Sequence, residues 1–177
     1  VGIESWTCAV SYDLDDTLRS WTRALKPGAW VFVQSGNIRT PNPAPGAWII
    51  DDTSFPKQGK HSVGVHHQYC GQLGKQANCQ VAVSLSVANH AASLPVAYRL
   101  YLPEAWTKDR ARRKKAGVPK QIKFKTKPQI ALEQIRWACE SGLPRGVALM
   151  DAAYGRDARL RAGMTELGVP YVVGIVP

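Results

Sequence analysis

The sequence lacks the features of secreted and membrane-spanning proteins. It has no apolar run that approaches the ~20 residues that a transmembrane helix requires. Residues 1–10 contain Glu4 and only a short mixed apolar run, which does not fit a secretory signal. None of the four cysteines stands in a C-x-x-C pair. We therefore expect reduced thiols, a cytoplasmic location and no membrane partner.

Acidic residues are also scarce. The chain has 13 Asp and Glu against 23 Lys and Arg, which gives a net charge of +10. Residues 108–127, called the basic segment below, contain ten Lys or Arg and one acid, Asp109, and so carry nearly all of this excess. A concentrated positive charge neutralises phosphates and releases counterions, which indicates a nucleic-acid partner. The alternative is a solvated loop that binds nothing.

A proline-rich stretch predicts how the chain is divided. Residues 37–46 read Asn-Ile-Arg-Thr-Pro-Asn-Pro-Ala-Pro-Gly, a composition typical of a linker. We therefore predict an N-terminal segment over residues 1–45, to which no function is assigned, and one domain over residues 46–177.

Hydrophobic periodicity predicts an α/β domain after the linker. The predicted strands are residues 47–51, 79–87, 94–102, 147–150 and 171–176, with 62–69 as a further strand or hairpin arm. The predicted helices are residues 128–141 and 157–167. The early strands are expected to be antiparallel and the later ones, which helices separate, to be parallel. Three antiparallel strands followed by helix, strand, helix, strand is the order of the ribonuclease-H-like (RNase H-like) mixed sheet.

Two of the predicted strands end at aspartates. Residues 47–51 run into Asp51 and Asp52, and residues 147–150 run into Asp151. In the RNase H-like order these strands are neighbours, so Asp52 and Asp151 are expected at one rim of the sheet. Two-metal phosphoryl transfer needs rigidly held carboxylates around cations ~3.5–4 Å apart. The alternative is that these aspartates only cap turns, as aspartate often does after a strand.

Three stretches resemble the catalytic domain of DDE transposases from bacterial insertion sequences. They are residues 50–65 (Ile-Asp-Asp-Thr-Ser-Phe-Pro-Lys-Gln-Gly-Lys-His-Ser-Val-Gly-Val), residues 73–84 (Leu-Gly-Lys-Gln-Ala-Asn-Cys-Gln-Val-Ala-Val-Ser) and residues 149–155 (Leu-Met-Asp-Ala-Ala-Tyr-Gly). The resemblance covers roughly residues 46–177. It implies an RNase H-like domain in which three acids hold Mg²⁺ or Mn²⁺.

The first two of those acids can be assigned by the resemblance. The first falls on Asp52 and the second on Asp151, with Asp51 beside the metal without ligating it directly. The third, a glutamate, is expected in a helix beyond the last predicted strand, and Glu166 precedes that strand. The domain is therefore interpreted as incomplete at its C-terminus, with weak metal affinity and impaired strand cleavage.

The resemblance also implies the substrate and partners. The full enzyme is expected to cleave DNA with water and then join strands with a DNA 3′-hydroxyl, at transposon ends and target DNA. It is expected to associate with the nucleoid and to form a homodimer on DNA. The candidate DNA-contacting residues are Lys57, Lys60, Arg110, Arg112, Arg113, Lys114, Lys115, Lys120, Lys123, Lys125 and Lys127. Trp106 is expected either to stack on a base or to pack in the core.

Two alternatives stay open at this point. The chain is a non-catalytic DNA-binding remnant of a transposase, or it is a phosphatase similar to the haloacid dehalogenases. The second rests on Tyr12-Asp-Leu-Asp-Asp-Thr-Leu18, where Asp13 would be the nucleophile and Asp15 the general acid. The same aspartates could instead cap the helix that follows.

Overall fold

The alternating apolar residues form the longest strand of the domain. In the computed structural model, which describes residues 46–90 and 92–175, this strand runs over Lys75–Ala88. The buried residues that this alternation predicts are Val81, Val83, Leu85 and Val87. The predicted N-terminal segment, with Asp13 and Asp15 of the phosphatase alternative, lies outside the described residues.

Six strands and five α-helices occur within the described residues. The strands are β1 (Ala47–Pro56), β2 (His66–Cys70), β3 (Lys75–Ala88), β4 (Ser93–Leu100), β5 (Val147–Met150) and β6 (Tyr171–Val173). The helices are α1 (Glu104–Lys108), α2 (Arg110–Lys115), α3 (Lys127–Glu140), α4 (Ala152–Gly155) and α5 (Ala158–Glu166). None of these helices is both long and apolar enough to cross a bilayer.

The strands form one mixed sheet with β1 at its centre. The order is β2-β3-β1-β5-β6, and β4 also pairs with β3. β1 is antiparallel to β3 and parallel to β5, and β6 is parallel to β5. β2 and β4 are both antiparallel to β3 and pair with its first and second halves, respectively. The mixed α/β architecture confirms the predicted RNase H-like class.

Several details of the prediction were wrong. The strand predicted over residues 171–176 ends at Val173, and the short helices α1 and α2 were not predicted. The strand predicted to stop at Asp51 continues to Pro56, because β3 is long enough to pair with it throughout. Thr53 and Phe55 also favour extended structure. In addition, four strands precede the long helix α3 rather than three, since the hairpin arm predicted at residues 62–69 forms β2. The predicted hairpin between β3 and β4 is confirmed.

α3 covers one face of the sheet. Its sequence favours the start of a helix and supplies an apolar face that packs against the sheet. Thr126 caps its first turn, and Gln129 completes a reciprocal capping box. Pro128 lies in the first turn, where the missing N–H costs nothing. The inward residues of α3 join strand and α5 residues in the main core; they are Ile130, Ala131, Ile135 and Ala138. The helix is therefore fixed over the centre of the sheet.

α4, a single helical turn that the sequence did not predict, lies close against the end of β6. A Cβ placed on Gly155 would lie 2.1 Å from the carbonyl oxygen of Gly174 and 2.8 Å from Cβ of Val173. A Cβ on Gly174 would lie 2.7 Å from the backbone nitrogen of Ala152. Only glycine permits this approach, so the position of α4 relative to the sheet is tightly constrained.

We predict that Gly155→Ala destabilises the domain by about 1–3 kcal/mol, because the added methyl group forces α4 away from β6. The free energy of unfolding in urea measures this. Gly59→Ala is the matched control, since a Cβ on Gly59 has no atom within 4 Å. Equal free energies of unfolding for the two variants would contradict the described packing of α4.

Candidate active site

The parallel pairing of β1 with β5 brings three carboxylates to one end of the strand pair. Ile50 lies beside Met150 in the register of these strands. Asp51 and Asp52 follow Ile50, and Asp151 follows Met150 directly. The two aspartates of β1 alternate in direction. Asp52 shares the face of the buried Trp48, Ile50 and Ser54, whereas Asp51 is exposed.

Asp52 has a protein partner on each carboxylate oxygen. The hydroxyl of Tyr154 donates a hydrogen bond to Oδ1 at 2.5 Å. The ammonium of Lys127, the first residue of α3, forms an ion pair with Oδ2. The same ammonium lies 5.6 Å from the centre of the Tyr101 ring. Asp52 is thus held from the side of α3 and from the side of α4.

Asp151 is exposed and caps α4. Its Oδ1 accepts hydrogen bonds from the backbone N–H groups of Ala153 at 2.9 Å and Tyr154 at 3.3 Å. The capping role considered as an alternative is therefore present for Asp151, whereas Asp51 and Asp52 lie within β1 and not, as predicted, at its end. Asp51 accepts the backbone N–H of Asp52 at 2.7 Å through its own Oδ1.

Tyr154 is the residue of this site that the sequence reasoning missed. Its side chain is 1% exposed and belongs to the main core. Burial, the hydrogen bond to Asp52 and the charges of the nearby aspartates raise the pKa of Tyr154 well above its usual value. The phenol therefore stays protonated and donates. Its position in the sequence could have identified it. Tyr154 lies three residues after Asp151 in the stretch 149–155, in which only the aspartate was assigned a role.

The oxygen donors at this rim suit a hard divalent cation such as Mg²⁺. The same rim already holds one positive charge, the Lys127 ammonium, against Asp52. Among the described residues, however, no group of three or more His, Cys, Asp or Glu is arranged to hold a metal ion. Glu166 is exposed at the last position of α5. The described residues therefore do not form a complete set of ligands for a metal ion.

The start of the basic segment is attached to the domain by a buried tryptophan. Trp106 is 0% exposed, packs with Val65 and Leu102, and donates its indole N–H to the carbonyl of Val65 at 2.8 Å. Of the two roles expected for Trp106, the structure shows core packing. The guanidinium of Arg112 lies 3.8 Å from the centre of the Trp106 ring and donates to the carbonyl of Lys60 at 2.7 Å.

The predicted DNA-contacting residues fall into two groups. Four are engaged within the protein: Arg112 as described, Arg113 with the carbonyls of Pro119 and Ile122, Lys125 with Glu133, and Lys127 with Asp52. The other seven have exposed side chains; they are Lys57, Lys60, Arg110, Lys114, Lys115, Lys120 and Lys123. The basic segment is thus folded in part, since it contains α2 and its first and last residues belong to α1 and α3, rather than being wholly a solvated loop.

Comparisons with known proteins identify the family to which the chain is similar. The sequence profile of the DDE superfamily endonucleases matches residues 33–177. The chain is 31% identical over 128 residues to a protein named "Probable transposase for insertion sequence element IS701" from Microchaete diplosiphon. That alignment covers 72% of this chain but 31% of the relative, so the chain spans about a third of that protein's length. No solved structure matches the chain significantly.

These matches confirm the resemblance to transposases of insertion sequences. The profile covers most of the chain, including Asp52, Tyr154 and Asp151. The chain belongs to the DDE superfamily endonuclease family.

Proposed function

We propose that this chain contributes to a transposase catalytic domain that cleaves DNA strands and joins their ends. The reaction is metal-dependent hydrolysis of a phosphodiester, followed by transesterification with a DNA 3′-hydroxyl. The observation that carries this proposal is the register of β1 and β5, in which Asp52 lies two residues beyond Ile50 and Asp151 directly follows its partner Met150, together with the ion pair between Asp52 and Lys127 at the end of the basic segment. The printed name of the relative, a probable transposase, supports the same reaction class.

Asp52 and Asp151 are the residues that would hold Mg²⁺ or Mn²⁺, with Asp51 adjacent. Bound there, a pair of such ions supplies a deprotonated nucleophilic oxygen and charge stabilisation at the leaving oxygen. Tyr154 fixes one oxygen of Asp52, so the carboxylate keeps a single orientation. Lys127 provides a positive charge at the rim, where the phosphate of the scissile strand would approach.

The third acid of the family's set has no counterpart grouped with these two among the described residues. Two carboxylates give a divalent cation fewer charged ligands than three, so the affinity is expected to be weak. We propose that this stretch alone binds metal weakly and that its strand cleavage is impaired. The complete set of ligands then belongs to the full-length enzyme.

The exposed lysines and arginines are proposed to contact DNA phosphates. Such contacts position the duplex and carry no sequence information. The proposed substrates are therefore transposon ends and target DNA, with recognition of the ends assigned elsewhere in the full enzyme. We further propose a cytoplasmic, nucleoid-associated protein that forms a homodimer on DNA.

A second candidate function is non-catalytic DNA binding by a transposase remnant. The observation that favours it is the Lys127–Asp52 ion pair, which already neutralises the first proposed ligand. The two functions differ in their response to metal. Only the catalytic one requires that a divalent cation competes with Lys127 for Asp52.

We predict that saturating Mn²⁺ raises the melting temperature of the chain, because a ligand that binds only the folded state stabilises it. The expected rise is on the order of 2–4 °C for each kcal/mol that bound Mn²⁺ adds to the free energy of unfolding. Asp52→Asn and Asp151→Asn should each abolish the rise. Asparagine remains a good helix cap, so Asp151→Asn should retain α4.

Glu166→Gln is the matched control for these variants, since it removes an exposed carboxylate elsewhere. It should leave the Mn²⁺ response unchanged. If the unmodified chain shows no response to Mn²⁺ but binds duplex DNA, the non-catalytic function is the correct one.

We predict that the exposed residues of α2 contribute to DNA affinity. The double variant Lys114→Ala/Lys115→Ala should weaken binding to duplexes of any sequence. It should also make the negative slope of log affinity against log salt shallower, by about 0.9 for each phosphate that the protein no longer neutralises. Fluorescence anisotropy over a salt series measures both quantities.

The control for α2 is Arg136→Ala/Arg159→Ala, which removes two exposed charges from α3 and α5, outside the basic segment. This variant has the same net charge as the α2 variant. If the affinity and the slope fall equally in the two variants, the DNA interface does not lie on α2.

A further inference from the structure

A cavity of about 570 Å³ lies between the end of β4, the second half of the basic segment and the start of α3. Its walls are mostly apolar, and they include Leu100 and Leu102 from the side of β4, Val118 and Ile122 from the basic segment, and Ile130 from α3. The aspartates of the candidate active site do not line it. Cavities of this size and character bind small organic groups that carry a few polar atoms.

The wall that the basic segment contributes is neither helix nor strand, yet it is fastened to the rest of the domain. The guanidinium of Arg113 donates to the carbonyls of Pro119 at 2.9 Å and Ile122 at 2.6 Å. Lys125 forms an ion pair with Glu133 of α3. The cavity is therefore largely formed before a ligand arrives, which lowers the ordering cost of binding.

The charge around the cavity is of one sign. Within the described part of the chain, the charged side chains that line it are Arg99, Lys123 and Lys125, and all three are basic. Arg99 and Lys125 share the carboxylate of Glu133, whereas Lys123 is exposed. An occupant that matches these surroundings has an apolar body with a negative charge beside it.

An unstacked nucleotide meets both requirements. The two faces of a base are apolar, and a phosphate adjoins each base along the strand. Leu100 is 38% exposed and Ile122 is 39% exposed, so the rim offers apolar surface to the face of a base. In a duplex the neighbouring base pairs cover these faces, and only a base that has left the stack can enter a cavity.

We propose that this cavity binds one unstacked base of DNA, with the adjoining phosphate on Lys123. The proposal rests on the proposed function, since it takes DNA as the substrate. It gives the basic segment a contact with bases in addition to its proposed contacts with phosphates. The resulting preference is for unpaired DNA rather than for a sequence, because every base has an apolar face.

The test compares two DNA duplexes as ligands of the 177-residue chain. Both carry a central 2-aminopurine, which is paired with thymine in one duplex and has no opposite base in the other. Fluorescence anisotropy should show tighter binding of the unpaired duplex, and 2-aminopurine emission should rise as the base leaves its stacking neighbours. Ile122→Ser should weaken binding of the unpaired duplex about fivefold, the low end of the loss for a base that loses its contact surface. It should leave binding of the paired duplex unchanged.

Leu73→Ser is the matched control, since it removes a leucine that is 47% exposed between β2 and β3, and it should change neither dissociation constant. Equal binding of the two duplexes by the unmodified chain would contradict the proposal and favour an apolar, acidic segment of a protein as the occupant. A preference that Ile122→Ser leaves intact would also contradict it, because the preference would then reflect only the flexibility of the unpaired duplex. If Ile122→Ser weakens binding of both duplexes equally, the cavity does not bind a base and the proposal is wrong.

The response of the melting temperature to Mn²⁺ separates this proposal from the proposed function. A chain that prefers the unpaired duplex through Ile122 but does not respond to Mn²⁺ would retain the base site, while metal-dependent strand cleavage would fail. A chain that responds to Mn²⁺ but binds both duplexes equally would retain the proposed function without the base site.

Discussion

The parallel pairing of β1 with β5 is the contact on which the candidate site depends. It joins residues far apart in the sequence and aligns Ile50 with Met150, which determines where Asp52 and Asp151 lie. β1 can make this pair because β3 supports its other edge along its whole length. α3 and α5 then cover the face that carries Asp52. A change in register by one residue would turn Asp52 to the opposite face and separate it from Tyr154.

The site and the basic segment are physically continuous. Lys127 ends the basic segment, begins α3 and pairs with Asp52. This ammonium offsets the charge of Asp52, which would otherwise add to the repulsion from the nearby Asp51 and Asp151. The same contact links the segment proposed to hold DNA with the carboxylates proposed to act on it. The Lys127 ammonium thus offsets the charge of Asp52 within the protein.

Local patterns predicted most of the fold. The alternation around Val83, the proline at the start of α3 and the apolar run of β5 each predicted their elements. The strand pairing of Thr53–Pro56 and the single turn of α4 were not predictable, because each depends on distant partners, β3 and β6. For the same reason the sequence identified Arg112 and Lys127 only as basic residues and did not identify their partners within the protein. Their inward contacts with Trp106 and Asp52 depend on the tertiary fold.

The most direct test of the central claim is anomalous diffraction from crystals of the chain grown with Mn²⁺. The account predicts an anomalous peak that touches both Asp52 and Asp151, with the hydroxyl of Tyr154 still on Oδ1 of Asp52 and the ammonium of Lys127 moved from Oδ2. A peak bound to other residues, or Asp52 still paired with Lys127 at saturating Mn²⁺, would contradict the account.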